Sequence, residues 1–429
     1  MTAAKTSLDF AREMDQSDPL WHFRERFIFP QHKDREVVYF TGNSLGLQPK
    51  SARKFIEEEL DAWAKFGVEG HFDAPRPWFA YHEFLTNKTA RLVGAKPNEV
   101  VVTHSLTTNL HLQMVSFYRP TKQRFRILCE QKAFPSDMYT LESQARFHGF
   151  DPDEAVIEVA PRSGEHLIRN EDILAKIDEL GDSLALVLFG GVNYYTGQLF
   201  DMPAIVKSGH KVGAIVGFDL AHAAGNIVLQ LHDWEVDFAA WCTYKYLNSG
   251  PGGAGGMFIH EKHAANTSLV RFAGWWGHDK SERFKMEKGF RAMPTAEGWQ
   301  LSNAPVMAMA IHLASLEIFD EAGMKNLAAK SRKLTAYLEE IILDISKRNS
   351  QRCRLEIITP KEEKFRGAQL SILIHGKGKA VFTALSEQGV VADWREPNVI
   401  RIAPVPLYNS FEDVYRFGQC LENAVSNGS

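Results

Sequence analysis

Four short runs in the middle of the chain, Leu184 to Phe189, Val212 to Phe218, Val236 to Cys242 and Met257 to Ile259, are apolar almost throughout. A strand with one wet face alternates apolar and polar residues. Runs without that alternation must be covered on both faces, as in the parallel sheet of an α/β sandwich, and the polar or helical segments between them supply the covers. At 429 residues the chain also exceeds what one hydrophobic core usually serves, so a large domain with a smaller one is expected. After Asn303 the pattern changes: helical spacing from Pro305 to Phe319 and from Met324 to Arg348 leads to strand-like Leu355 to Ile358 and Leu370 to Ile374. A helix over Lys379 to Gln388, a strand at Val399 to Ala403 and a last helix from Phe411 follow, the last opened by Ser410 and Asp413 as a capping box. The expected division is an N-terminal segment, 1–65, contributing to a small α+β domain, a large domain over 66–310, and the rest of the small domain over 311–429.

Charge and composition exclude several functions. A net charge of −4 and a pI near 6.5, with Lys and Arg scattered, leave no basic footprint for nucleic acid or an anionic membrane. Met1 to Gln16 lacks the basic start and apolar middle of a signal peptide, and no run is long enough to span a bilayer. Cys129, Cys242, Cys353 and Cys420 form no CxxC pair or metal spacing, which fits a reducing cytoplasm.

The chemistry concentrates between Asp219 and Gly256. Asp219 closes an apolar strand as Asp219-Leu220-Ala221-His222, and Lys245 follows 245 − 219 = 26 residues later within Thr243-Tyr244-Lys245-Tyr246-Leu247-Asn248. Five glycines then occupy the seven positions from Gly250 to Gly256, a segment built for close backbone approach. Taken singly, the lysine reads as a solvated strand end, the aspartate as a helix N-cap and the histidine as a core residue. Together they are what pyridoxal phosphate (PLP) needs: a lysine to hold the cofactor as a Schiff base, and a carboxylate to keep its pyridine nitrogen protonated. A buried carboxylate at Asp219 would gain the partner it otherwise lacks.

Three further segments add to this. Ser105-Leu106-Thr107-Thr108 opens an apolar helix after the strand Val100 to Thr103, offering either an ordinary N-cap or free N–H groups for a phosphate. Phe134-Pro135-Ser136-Asp137 puts an aromatic face and a carboxylate on one loop. Arg401 lies inside an apolar strand, where a guanidinium seeks a bidentate anion, supplied by a structural salt bridge or by a substrate α-carboxylate.

Thr41-Gly42-Asn43-Ser44-Leu45-Gly46, the Phe134 to Asp137 loop, Tyr195-Thr196-Gly197-Gln198, Gly217 to His222, Tyr244 to Asn248, Gly274-Trp275-Trp276-Gly277-His278 and Arg401 to Ser410 together resemble the kynureninases, over nearly the whole chain. The Asp/His/Lys framework alone resembles the wider aminotransferase class V group. The segments at 274–278 and 401–410 narrow it. The resemblance implies a fold-type I large domain with a mostly parallel seven-stranded sheet between helices, and a homodimer with the active site at the subunit interface. It implies that Leu106, Thr107 and Tyr244 hold the phosphate and that Phe134 stacks on the ring, with Pro135 and Ser136 on the same loop. Asp137 and His222 would line the cofactor, Asp219 would pair with the ring nitrogen and Lys245 would carry the cofactor. Trp275 and Asn303 would come from the partner subunit; Arg401 would bind the α-carboxylate, while His71, Ser44, Ser302 and Asn303 shape the aryl pocket.

The activity implied is hydrolysis of L-kynurenine to anthranilate and L-alanine and of 3-hydroxy-L-kynurenine to 3-hydroxyanthranilate and L-alanine. Lys245 would move the Cα proton and Tyr244 would relay a proton late in the reaction. The polar groups of His71, Ser302 and Asn303 favour the hydroxylated substrate. Gly190 stands where some relatives carry a serine, so a water or the Gly191 backbone is expected to replace a hydroxyl contact. The alternative reading is a cysteine desulfurase-like PLP enzyme, for which Cys353 is the available thiol. A catalytically dead scaffold of the same fold has no need of Lys245, Asp219 and Arg401 together.

Overall fold

The computed structural model describes residues 6–427. Seven strands, β1 (Val100–Thr103), β2 (Arg126–Glu130), β3 (Val156–Val159), β4 (Leu184–Gly190), β5 (Ile215–Asp219), β6 (Phe238–Cys242) and β7 (Gly255–Ile259), form one sheet in the order β1-β7-β6-β5-β4-β2-β3. Strands β3, β2, β4, β5 and β6 pair in parallel, while β7 runs antiparallel to both of its neighbours. This is the α/β architecture that the continuous apolar runs predict. Because successive side chains of a strand point to opposite faces, one run serves two cores. Val187, Phe189, Val216, Phe218, Ala239 and Trp241 pack on one side, and Leu186, Leu188, Phe238, Ala240, Met257 and Ile259 on the other.

The start of β5 differs from the sequence reading. Val212 closes the helix Met202–Lys211 and Gly213, at φ +75°, turns the chain, so the strand begins at Ile215. Apolar composition cannot separate a helix end from a strand start when both are buried.

A second sheet, β8 (Arg354–Ile357), β9 (Leu370–His375), β10 (Asp393–Arg395) and β11 (Val399–Ile402), is antiparallel throughout, in the order β8-β9-β11-β10. It shares a core with the helices Met324–Arg348, Gly378–Glu387 and Phe411–Asn427, and Ala11, Val38 and Phe40 from the N-terminal segment join it. Helix Val306–Ala322 instead buries Met309, Leu313, Leu316 and Phe319 in the core of the large sheet. The boundary read at residue 310 therefore falls inside this helix. The capping box is present: Ser410 Oγ accepts from Asp413 N at 3.0 Å and Asp413 Oδ2 accepts from Ser410 N at 3.2 Å. Asp15 adds its carboxylate to the same helix start, accepting from Phe411 N and Glu412 N, where the helix dipole favours an anion. No helix among the described residues is long and apolar enough to cross a membrane.

Glycine at 256 follows from its cross-strand partner. Trp241 pairs with Gly256, and a Cβ there would lie within the indole, 2.1 Å from its nearest atom. Gly256→Ala is expected to destabilise the protein by about 1–3 kcal/mol through overpacking, read as a lower urea midpoint with unchanged slope.

Candidate active site

The strand ends collect the chemistry. Glu130, Gly190 and Asp219 are the last residues of β2, β4 and β5, and they open into a cavity of about 290 Å³. This is the carboxyl edge of the sheet, where open α/β folds place their ligands. Ser105, Leu106, Thr107, Phe134, Ser136, Asp137, Asp219, His222, Tyr244 and Lys245 line one cavity, with Glu130 and Tyr194 between them. Pro135 sits at the first turn of the helix Pro135–Phe147, beside Phe134.

Asp219 is 6% exposed and accepts one backbone hydrogen bond, from Ala221 N at 2.7 Å. Burial pushes its carboxyl above the ordinary range, and Lys245 and the Ala221 N–H pull against that. Asp137 is driven up further, by burial and then by the charge of Asp219, so the proton they share resides on Asp137 and Asp219 is the anion. Asp137 Oδ1 has no partner. Lys245 Nζ lies 3.0 Å from His222 Nε2 and 5.7 Å from the Phe134 ring centre. Burial and the charge of Lys245 hold His222 well below its usual range, so its ring is neutral; its Nδ1 is buried without a partner. Burial also raises the Tyr244 phenol, with Cys242 and Asp219 adding to the effect, so that hydroxyl keeps its proton.

Asp237, a buried carboxylate just before β6 at the opposite edge of the sheet, shows what a purely structural role looks like. His210 Nε2, His263 Nε2, Lys262 Nζ and Val216 N all reach it within 2.9 Å, and its carboxyl is pulled far below the ordinary range despite burial. Asp219 faces a cavity instead.

The helix Leu106–Phe117 points its N-terminus into that cavity. Ser105 is extended and its side chain caps no backbone group; Ser105 Oγ pairs with Thr108 Oγ1 at 3.0 Å. The first N–H groups of the helix are thus free for an anion. Beneath this turn the glycine-rich segment finds its reason. A Cβ on Gly255 would meet Asn109 Nδ2 at 2.8 Å and the Ser105 carbonyl carbon at 3.1 Å. Its glycines bring β7 close under this uncapped turn and do not line the cavity.

Gly190 N donates to both oxygens of Glu130, at 3.1 and 3.2 Å. Of the two expected replacements for a side-chain contact at 190, a water or the Gly191 backbone, the Gly191 N–H is already engaged, donating to Asp219 O at 2.8 Å. Glu130 itself escaped the sequence reading, although the signal is the one that found Asp219: a carboxylate closing an apolar strand. Tyr194, which meets Phe134 edge-on at 5.3 Å, lies one residue before the motif that was noticed.

Arg401 is 1% exposed on β11, directly opposite Asp393 in register, and the two form an ion pair; Arg401 Nη1 also donates to Tyr194 O at 2.6 Å. The structural salt bridge is therefore present, and Arg401 meets the cavity wall through Tyr194. Ser44, in a turn closed by Ser44 N to Thr41 O, and His71, Trp275, Ser302 and Asn303 do not line the cavity. His71 packs edge-on to Trp78, and Ser302 and Asn303 are exposed. Trp275 is 48% exposed beside Phe284 and donates its indole N–H to Arg283 O. Cys353 is buried in the core of the small sheet, with burial raising its thiol, so it offers no exposed nucleophile.

Comparison with known proteins gives the family and the fold. Residues 327–421 match the family described as Kynureninase C-terminal domain. The chain is 58% identical over 421 residues to the kynureninase of Flavobacterium psychrophilum, covering 98% of this chain and 99% of that protein. Among solved structures, a lysine-to-alanine variant of C-DES with glycine covalently linked to its PLP cofactor superposes with a TM-score of 0.76 at 17% identity, covering 90% of this chain and 96% of that one. The apo cysteine desulfurase of Thermococcus onnurineus gives 0.74 at 18% identity, covering 97% and 98%. At such identities the two structures speak for the fold alone.

Proposed function

The chain belongs to the kynureninase family, and from that premise we propose that it is a PLP enzyme hydrolysing L-kynurenine to anthranilate and L-alanine, and 3-hydroxy-L-kynurenine to 3-hydroxyanthranilate and L-alanine, in tryptophan degradation and NAD biosynthesis. The observation that carries this is the carboxylate of Asp219 facing the same cavity as Lys245, with an uncapped helix N-terminus at its rim. These groups fit PLP: a free helix N-terminus for its phosphate, an aromatic face at Phe134, an anion for its ring nitrogen and an amine for its aldehyde.

The chemistry supplied by bound PLP is an electron sink for carbanions at the α- and β-carbons of the substrate. Leu106 and Thr107, through the helix start, and Tyr244 would hold the phosphate end. Phe134 would cover the ring, with Pro135 and Ser136 continuing its loop. Asp219 would keep the ring nitrogen protonated, and a protonated Asp137 spares it a second competing charge. Lys245 would anchor the cofactor, and its amine would move the proton at Cα. Neutral His222, 3.0 Å from Lys245 Nζ, accepts from that nitrogen and orients it. Water adds to the aryl ketone, and the Tyr244 phenol, kept protonated, supplies the proton as the carbon–carbon bond breaks. Arg401 binds the α-carboxylate beside its Asp393 ion pair.

The remaining residues act across a homodimer in this reading. Phe72, Phe79, Trp275 and Phe284 form an aromatic cluster, with Phe72 56%, Trp275 48% and Phe284 56% exposed. Exposed aromatic surface of this kind marks an interface. A second copy docked here would bring Trp275, Asn303, Ser302, His71 and Ser44 to its neighbour's cavity. The four cysteines are free, in keeping with a cytoplasmic setting.

Turnover followed by the fluorescence of the aminobenzoate product tests the activity, and hydrolysis of neither substrate would contradict it. The hydroxylated substrate is expected to have the higher kcat/KM, since each polar donor left unpaired by plain kynurenine costs about 1–3 kcal/mol. Tyr244→Phe is expected to lower kcat by about 10²- to 10⁴-fold; an unchanged kcat would remove Tyr244 from the proton path. Light scattering should give twice the 48.4 kDa of one chain, and a monomer active at the same specific rate would refute the shared site.

A further inference from the structure

Glu130 has no part in the reaction so far. It closes β2, is 4% exposed, and belongs to the wall of the cavity. Its carboxylate is clamped by the Gly190 amide, and a Cβ at 190 would stand 3.0 Å from Glu130 Oε1, so glycine at 190 and glutamate at 130 fit each other. The groups facing it are Asp219 from β5, Asp137 from the helix Pro135–Phe147 and Tyr194 from the loop after β4, while Cys129, next to it on β2, packs on the other face of the sheet. Three of these side chains, Glu130, Asp137 and Asp219, are carboxyls in one small cavity, and Lys245 is the cation that shares it.

We propose that Glu130 is a positioning residue for Asp219: fixed by the Gly190 amide, its carboxyl sets the negative charge of the cavity floor and with it how firmly Asp219 holds a proton on the ring nitrogen. Burial, with a further push from the charge of Asp219, holds the Glu130 carboxyl up at about 7, so this charge appears as pH rises through neutrality. The group is raised above its unfolded value, so the folded state prefers the protonated form; the negative charge is absent below the unfolded pKa and complete above the folded one. A side chain at 190 would crowd the carboxyl out of this position.

The inference rests on the cavity being the PLP site, and spectroscopy of the holoenzyme separates the two. The wild-type protein should carry a visible cofactor band whose pH midpoint can be titrated; no band at all would sink the cofactor reading itself. Glu130→Gln keeps the shape and can still accept from Gly190 N but lacks the charge. Its midpoint is expected to fall by about half a pH unit or more, because a neighbouring anion favours the proton-bearing form. Glu130→Asp, which keeps the charge, should return the midpoint towards wild type. Gly190→Ala should shift it in the same direction as Glu130→Gln, and decides the matter should the glutamine variant not fold. A wild-type band with the same midpoint in Glu130→Gln, or in Gly190→Ala where only that variant folds, overturns the proposal and leaves the cofactor reading standing.

Discussion

A carboxylate at the end of a fully buried strand is costly unless something answers its charge. Asp237 is answered by two histidines, a lysine and a backbone amide. Asp219 has the Ala221 amide, a protonated Asp137 and the field of Lys245. Asp219 faces a cavity, and the other elements converge on that cavity: the free helix start at Leu106, the Phe134 face and the turn that presents Lys245. The Lys245 turn is fixed in its own right, by Asn248 N to Lys245 O and Ser249 N to Thr243 O, and Gly46 N reaches across to Tyr244 O.

The small sheet is tied to this cavity through side-chain hydrogen bonds. Asn226, four residues beyond His222, accepts from Ala368 N and donates to His222 O. Gln369 donates to Tyr194 O, Ser371 to Tyr195 O and Thr359 to Thr196 O. The loop from Asn193 to Gly197 is thus stitched to β9 and the segment before it, and Arg401 on the neighbouring β11 reaches the same loop. The two units share one wall, so a shift of the small sheet would move Tyr194 and Arg401 together.

Much of this was legible in the residues. Apolar runs without alternation predicted the covered sheet, the 3.6-residue period placed Met324–Arg348 to the residue, and Ser410 with Asp413 announced a real cap. Asp219 was found because a charge at the end of such a run demands an explanation. The same argument holds for Glu130, which closes the apolar run just before Phe134 and Asp137. The role of the glycines at 250–256 was not legible, because what they avoid, Ser105 and Trp241, is distant in sequence. Nor was the Arg401–Asp393 pair, which depends on strand register. Trp275 and Asn303 lie outside the cavity of their own chain, and no spacing pattern in the sequence says so.

The central claim is that Lys245, over the anion of Asp219, is the attachment point of PLP. Reducing the purified holoenzyme with borohydride, digesting it and mapping the modified peptide by mass spectrometry tests this directly. The account predicts one phosphopyridoxyl group, on Lys245. The group on any other lysine, or none in a protein that hydrolyses kynurenine, would contradict it.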